Sequence, residues 1–252
     1  MKAIVPAGNQ FHNNQLMGPS QTYWAVVPAA GIGTRMGIDI PKQYLKLQGK
    51  CVLEHTLQLL CRHEKIKGIV VALAENDPYW PTLACASDQK IHVATGGVER
   101  SHSVRNGLHL LRKFAKPDDW VLVHDAVRPC LCREDLDKLM QTLTGHTSGG
   151  ILAIPVRDTM KRADNNDQII ETISRDGLWH ALTPQMFRFS ILEMALDNVI
   201  SKNILVTDEA QAVELSGIQP VLVEGHPDNI KITHPSDLPL AEFYLSRQVK
   251  VS

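Results

Sequence analysis

The stretch Tyr23-Trp-Ala-Val-Val-Pro-Ala-Ala-Gly-Ile-Gly-Thr-Arg-Met-Gly37, continued by Ile38-Asp-Ile-Pro-Lys-Gln-Tyr44, decides the reading of this chain. Its first seven residues, Tyr23–Ala29, form a valine-rich apolar run that stops at small residues and glycines. Such a run predicts a buried strand. The glycine turn after it lets a ligand approach the backbone closely, and its free N–H groups suit phosphate oxygens. A dinucleotide fingerprint fails here, because Met36 stands where the third glycine belongs. No Gly-Lys-Ser/Thr follows, so the turn is not a P-loop either. Instead Arg35 and then Pro41-Lys42-Gln43 place two cations just beyond it. Either cation alone is an ordinary surface residue. Together with the turn they suit a triphosphate and the charge that develops on a phosphorus under attack.

Outward from this stretch, strands and helices alternate. Val52–Cys61, Ser103–Phe114 and the segment carrying Leu136, Leu139, Met140 and Leu143 have apolar residues at helical spacing. Between them lie the apolar runs Gly68–Ala74, Lys90–Ala94, Trp120–His124 and Gly150–Val156. Continuous apolar strands separated by amphipathic helices predict an α/β fold, with a mainly parallel sheet covered on both faces. Functional loops then belong beyond the carboxyl ends of the strands. The polar stretch Arg157–Leu178 breaks the rhythm. Its Asp164-Asn-Asn-Asp167 turn signal, between Thr159–Arg162 and Gln168–Ile173, predicts a β-hairpin projecting as an arm. Helices at Ser190–Ile200, Asp208–Leu215 and Leu238–Leu245, a strand at Val221–Glu224 and a short run at Asn229–Thr233 complete the reading.

The length of 252 residues fits one large domain, expected over 22–250 with the arm at about 157–178. Residues 1–21 are polar and unpatterned, and read as a disordered extension with Met17 as a candidate initiator. A net charge of -1 argues against a nucleic-acid partner, so anions must be held by local clusters. No apolar run approaches the length of a membrane span, and the N-terminus lacks the apolar core of a signal peptide. The five cysteines are odd in number and contain no CxxC pair, which points to a reducing, cytoplasmic setting. Cys130-Leu131-Cys132 offers two thiols without further ligands, and two ligands do not make a metal site.

Further candidate sites follow the predicted strands. In Gly96-Gly97-Val-Glu-Arg100-Ser-His-Ser103, Ser103 either caps a helix or, with the glycine backbone, reads the edge of a base. Arg100 is either structural or a phosphate ligand. In His124-Asp125-Ala-Val-Arg128-Pro129, Asp125 is placed to hold Mg²⁺ or a ribose hydroxyl, or simply pairs with arginine. No G-x-S-x-G accompanies His124 and Asp125, so a serine triad is excluded. Leu182-Thr183-Pro184-Gln185 and Thr207-Asp208-Glu209 read as hydroxyl-rich turns, the second also as an ordinary helix start.

Taken in order, these motifs resemble the 2-C-methyl-D-erythritol 4-phosphate cytidylyltransferase family. The match rests on Val27-Pro-Ala-Ala-Gly-x-Gly33, Arg35-Met36, Pro41-Lys-Gln-Tyr44, Gly96-Gly97, Arg100, Ser103-Val104, Val121-Leu-Val-His-Asp-Ala126, Arg128-Pro129, Pro155-Val-Arg-Asp-Thr159, Gly177-Leu-Trp-His-Ala-Leu-Thr-Pro-Gln185, Thr207-Asp-Glu-Ala210 and Asn229-Ile-Lys231. It runs from about Ala25 to Tyr244. The resemblance implies a Rossmann-like nucleotidyltransferase fold and a homodimer in which each arm reaches toward the partner's site. It implies transfer of CMP from CTP to the methylerythritol phosphate, with Mg²⁺ or another divalent cation. CTP would be held by Ala29, Ala30, Gly31, Gly97, Ser103 and Asp125, with Asp125 as the metal candidate. Arg35, Lys42 and Lys231 would bind phosphates and stabilise the transition state. Thr159, Arg175, Thr183, Thr207 and Arg128 would shape the acceptor site. Val98 stands where the family often has an acidic residue, and Thr34 where a second arginine can occur. A ribitol 5-phosphate cytidylyltransferase is the neighbouring alternative; a nicotinamide-dependent dehydrogenase is disfavoured by Met36.

Overall fold

The computed structural model describes residues 21–31 and 40–248. The expectation for residues 1–20, and the placement of Thr34 and Arg35, lie outside these residues. The described strands are β1 Tyr23–Pro28, β2 Lys46–Leu47, β3 Lys50–Cys51, β4 Ile66–Leu73, β5 Ile91–Thr95, β6 Trp120–Val123, β7 Gly150–Pro155, β8 Met160–Ala163, β9 Ile169–Ile173, β10 Trp179–Arg188 and β11 Val221–Glu224. The helices are α1 Val52–Arg62, α2 Arg100–Leu111, α3 Arg133–Leu143, α4 Phe189–Ser201, α5 Glu209–Glu214 and α6 Asp237–Gln248.

Among the described residues, seven strands form one sheet in the order β11-β7-β10-β6-β1-β4-β5. β1 runs parallel to both β4 and β6, β4 is parallel to β5, and β11 is parallel to β7. The alternation of side chains along a strand divides the core in two. Ala25 and Val27 of β1, with Ile69 and Val71 of β4 and Leu122 of β6, meet Leu53, Leu57 and Leu60 of α1 and Leu136, Leu139 and Leu143 of α3. Trp24, Val26, Val70 and Val121 face the other way, against α2, α4 and α5 through Val104, Leu108, Leu192, Leu196 and Val213. Helices therefore cover both faces, as the continuous apolar strands require. A third cluster seats α6 on the β2–β3 hairpin through Leu47, Val52, Val127, Ile232, Ala241 and Leu245.

One reading is corrected by the fold. The segment Leu182–Gln185 is no turn. It lies within β10, which runs antiparallel between β6 and β7 at the centre of the sheet. Proline is disfavoured in a central strand because it lacks a ladder donor. Here the register shifts between Ala181 and Gln185, and the Thr183–Pro184 bond is cis. The shift takes Pro184 out of the ladder. The short run Asn229–Thr233 is a loop, pinned by the Ile232 N–H donating to the Val127 carbonyl at 2.9 Å.

The expected hairpin is present as β8 and β9, which pair only with each other. Its turn is closed by Asp164, whose Oδ1 accepts from the N–H groups of Asn166 and Gln168. Asp167 takes the left-handed conformation at φ 61°, which aspartate tolerates. Ile169 and Ile170 of β9 stand out in solvent, 66% and 61% exposed.

Candidate active site

The sheet changes direction of winding at β1, with β4 on one side and β6 on the other. In open α/β sheets a crevice forms beyond the strand ends at this point. A cleft of about 500 Å³ lies there, between the loops that follow β1, β5 and β6. It brings together Ala29, Ala30, Gly31, Lys42, Gly97, Ser103, Asp125 and Lys231, eight of the residues named above. Glycine is required where these loops meet. A Cβ on Gly96 would collide with the Cβ of Ala30, and one on Gly97 with the Cβ of His102.

The first loop is shaped by a residue whose role the sequence did not disclose. Gln43 is buried, and its Nε2 donates to the carbonyls of Ala29 at 2.8 Å and Gly31 at 3.0 Å. Tyr44, next to it, is buried against Tyr79 and donates its hydroxyl to Asp77 at 2.8 Å. These anchors fix the 3-10 turn Lys42–Tyr44, and so set the backbone of Lys42 at the cleft wall. The second loop opens α2. That helix starts at Arg100 with Glu99 as its N-cap residue, so Ser103 lies inside the helix rather than capping it. The buried Ser103 hydroxyl accepts the Gly97 N–H at 3.0 Å and holds the glycine turn against the helix.

Asp125, from the third loop, is the centre of charge. Its carboxylate meets Arg100 Nε at 3.0 Å, Lys231 Nζ at 2.9 Å and Arg128 Nε at 3.5 Å. Burial would raise its pKa, but Arg100, Lys231 and Arg128 outweigh burial and hold it well below the usual carboxylate range. Arg100 is itself clamped by Glu209, with Nη1–Oε1 at 2.6 Å and Nη2–Oε2 at 3.0 Å. Such a bidentate fork fixes direction as well as charge. Burial would lower the Arg100 pKa, yet Glu209 and Asp125 raise it overall. Glu209, 1% exposed, was not legible in the sequence as part of the site. With Lys42, Arg100 and Lys231 against Asp125 and the exposed Glu99, positive charge is in excess around the cleft.

Behind Asp125 runs a chain of hydrogen bonds. The Asp125 N–H donates to Thr183 Oγ1 at 3.1 Å, and Thr183 Oγ1 lies 2.9 Å from His124 Nδ1. His124 Nε2 lies 3.1 Å from the Arg128 carbonyl, which can only accept, so the imidazole proton sits on Nε2 and Thr183 donates to Nδ1. Arg128 Nη1 donates to the Asn229 carbonyl at 2.6 Å, and Asn229 Nδ2 to the Thr183 carbonyl at 2.7 Å. Thr183 and Arg128, candidates for the acceptor, are thus buried in the wall that supports Asp125. Thr159, Arg175 and Thr207 are exposed and do not line this cleft. Arg175 Nη1 donates to the Arg157 carbonyl at the base of the arm. Thr207 lies beside Asp208, which caps α5 and accepts from Gln185 Nε2 at 2.9 Å.

His124 makes stability depend on pH. Burial lowers its pKa from 6.5 to about 4, with Asp125 pulling the other way. The folded state keeps it neutral while the unfolded chain takes up a proton. Stability is therefore full above the unfolded pKa and falls between pH 6.5 and about 4, by up to about 3 kcal/mol from this group. Asp125, with its depressed pKa, keeps its contribution through that window and loses it only at lower pH. Urea midpoints at pH 7 and pH 5 check this; equal midpoints contradict it.

Residues 23–247 match the family model described as 2-C-methyl-D-erythritol 4-phosphate cytidylyltransferase. The protein of that name from Pseudomonas putida is 54% identical over 217 residues, covering 86% of this chain and 92% of the relative. The Vibrio vulnificus protein of that name is 51% identical over 224 residues, covering 89% and 94%. The crystal structure of the Francisella tularensis 2-C-methyl-D-erythritol 4-phosphate cytidylyltransferase superposes with a TM-score of 0.79 at 39% identity, covering 89% of this chain and 100% of that one.

Proposed function

The chain belongs to the 2-C-methyl-D-erythritol 4-phosphate cytidylyltransferase family, and from that membership we propose how its own residues transfer CMP from CTP to 2-C-methyl-D-erythritol 4-phosphate. The product is 4-diphosphocytidyl-2-C-methyl-D-erythritol, an intermediate of non-mevalonate isoprenoid precursor biosynthesis, and pyrophosphate leaves. The observation that carries the residue assignment is the convergence of Lys42, Lys231, Asp125 and the Ala29–Gly31 and Gly97 backbones on one cleft.

A phosphate oxygen of the acceptor attacks the α-phosphorus of CTP. The bond from that phosphorus to the bridging oxygen breaks, and the electron pair departs with pyrophosphate. The attacking phosphate is already an anion, so no strong general base is needed. The backbone of Ala29, Ala30 and Gly31 cradles the triphosphate, while Gly97, held by Ser103, faces the base. Lys42 and Lys231, with Arg35, neutralise the charge that builds on the phosphoryl oxygens. Lys231 rests on Asp125 in the free chain and turns to phosphate when CTP enters. Asp125 is the buried lining carboxylate that would hold Mg²⁺; since Arg100, Arg128 and Lys231 already bond it, most of the ion's ligands would have to come from elsewhere, such as phosphate oxygens. When bound, Mg²⁺ supplies further neutralisation of phosphate charge.

The acceptor side rests on the arm. We assign residues 22–250 to one catalytic domain, with the hairpin over about 157–178 crossing to a second copy in a homodimer. The exposed Ile169 and Ile170 support this reading, since isolated two-stranded sheets seldom expose such side chains without a partner. Thr159 and Arg175 then reach toward the partner's cleft, with Thr207 of that copy outside its nucleotide-lined wall. A cytoplasmic setting is supported by the free state of the five cysteines. Among the described residues, no helix is long and apolar enough to cross a membrane.

The test is pyrophosphate release from CTP with methylerythritol phosphate and ribitol 5-phosphate side by side. Only the first is expected to support turnover at low concentration. Arg175→Ala is expected to raise KM for the acceptor by about 10–100-fold, the worth of one hydrogen bond to a charged group, with KM for CTP little changed. An unaltered acceptor KM removes Arg175 from the site.

A further inference from the structure

Outside the cleft, a second group of side chains converges where the start of α3 meets the loop after β11. Cys132 precedes the first turn of α3, Asp135 lies within that turn, and His226 follows β11. The sequence offered Cys132 no partner, because His226 is 94 residues away. The fold supplies two. Cys132 Sγ lies 3.5 Å from His226 Nδ1, and Asp135 Oδ1 lies 2.7 Å from the same nitrogen. The three ligand atoms fall within 4.8 Å of one another. We propose that Cys132, Asp135 and His226 form a binding site for a thiophilic divalent cation such as Zn²⁺, separate from the Mg²⁺ of the nucleotide cleft.

The geometry approaches that of a tetrahedral ion with one position left to solvent; the Cys132–Asp135 edge, within 4.8 Å, must come to about 3.5 Å. With Zn–S of about 2.3 Å and Zn–N of about 2.0 Å, a tetrahedral edge between sulfur and nitrogen measures about 3.5 Å. That is the Sγ–Nδ1 separation found. The corresponding nitrogen–oxygen edge is about 3.3 Å, so the 2.7 Å hydrogen bond must open by about 0.6 Å. His226 has room for this, because its side chain is 61% exposed while Asp135 is 1% exposed. Asp135 is already fixed for the task. Its Oδ2 accepts the His226 N–H at 2.8 Å, and a Cβ on residue 225 would press within 3.0 Å of that oxygen, which glycine avoids.

The protons balance. His226 now carries its proton on Nδ1, donating to Asp135. On ligation Nδ1 gives up that proton and the exposed Nε2 takes one from solvent. The Cys132 thiol loses its own, so one proton is released per ion bound. Sulfur and imidazole donors select Zn²⁺ or Co²⁺ over Mg²⁺. The site ties α3 to the loop after β11, and its occupation stabilises the fold by mass action.

The experiment titrates the full chain, reduced and metal-free, with Co²⁺ and then Zn²⁺. Expected are one Co²⁺ per chain with thiolate-to-metal absorption, displacement by Zn²⁺ but not by excess Mg²⁺, and a thermal midpoint that rises with Zn²⁺. Cys132→Ser is expected to lose the thiolate band, and His226→Gln to bind at least about tenfold more weakly. His226 is exposed, so its variant reports on binding rather than on folding. Absence of a thiolate band in the parent chain overturns the proposal. So does its persistence in Cys132→Ser, which would move the ion to another cysteine.

Discussion

Asp125→Ala is expected to lower stability by about 3 kcal/mol, the lower end of the range for removing one partner of a buried ion pair, and to abolish measurable turnover. The carboxylate it removes is 7% exposed and faces three cations. Of these, Arg100 keeps Glu209, and Lys231, 39% exposed, can turn to solvent. Arg128 is the one that suffers. It is 10% exposed and is left with the Asn229 carbonyl alone among its recorded partners. Repulsion between Arg100 and Arg128, now unscreened by the carboxylate, adds to the loss. Urea denaturation measures the stability, and pyrophosphate release the activity. A variant within about 1 kcal/mol of the parent would show that the cations find other partners. Asp125→Asn separates shape from charge, since the amide fills the same space but cannot neutralise three cations.

Lys42→Ala is expected to lower kcat by about 10²–10³ at saturating CTP, as removal of one preorganised donor does elsewhere. The size of the effect follows from how the lysine is held. Gln43 is bonded to the carbonyls of the glycine turn, and Tyr44 is bonded to Asp77. Lys42 is therefore carried on an anchored turn, which fixes where its side chain leaves the cleft wall. A charge acting only in the transition state changes kcat rather than the affinity for CTP. Lys42→Arg is expected to recover part of the loss, since it restores charge without the same reach. Turnover of Lys42→Ala within threefold of the parent would remove this residue from the chemistry.

Much of this was written locally in the chain. β1, β4, β6 and β7 are continuous apolar runs, and such runs announce themselves without knowledge of their neighbours. The arm was legible because its turn closes on Asp164, within five residues of sequence. β10 was not. It carries His180, Thr183, Pro184 and Gln185, and only its neighbours β6 and β7 explain why a polar, proline-containing segment lies mid-sheet. The cleft divides in the same way. Lys42, Asp125 and Lys231 stand in recognisable local motifs, whereas Gln43 and Glu209 act through contacts made across the fold. Thr183, which the resemblance assigned to the acceptor site, is buried in the wall behind the cleft. Its hydroxyl bonds the Asp125 N–H and His124 Nδ1, contacts that no local pattern discloses.

Lys231 comes from the last stretch of chain before α6, yet it completes a pocket whose first wall begins at Pro28, and Asn229 from the same stretch stands behind that wall. Arg128 waits for the Asn229 carbonyl, and Asp125 for the Lys231 ammonium, across about 100 intervening residues. A ribosome must therefore finish nearly the whole polypeptide before the pocket closes. Fragments from interrupted translation or early stop codons carry the glycine turn and its lysine but lack this last cation. On the role proposed for Lys231, such fragments transfer no CMP.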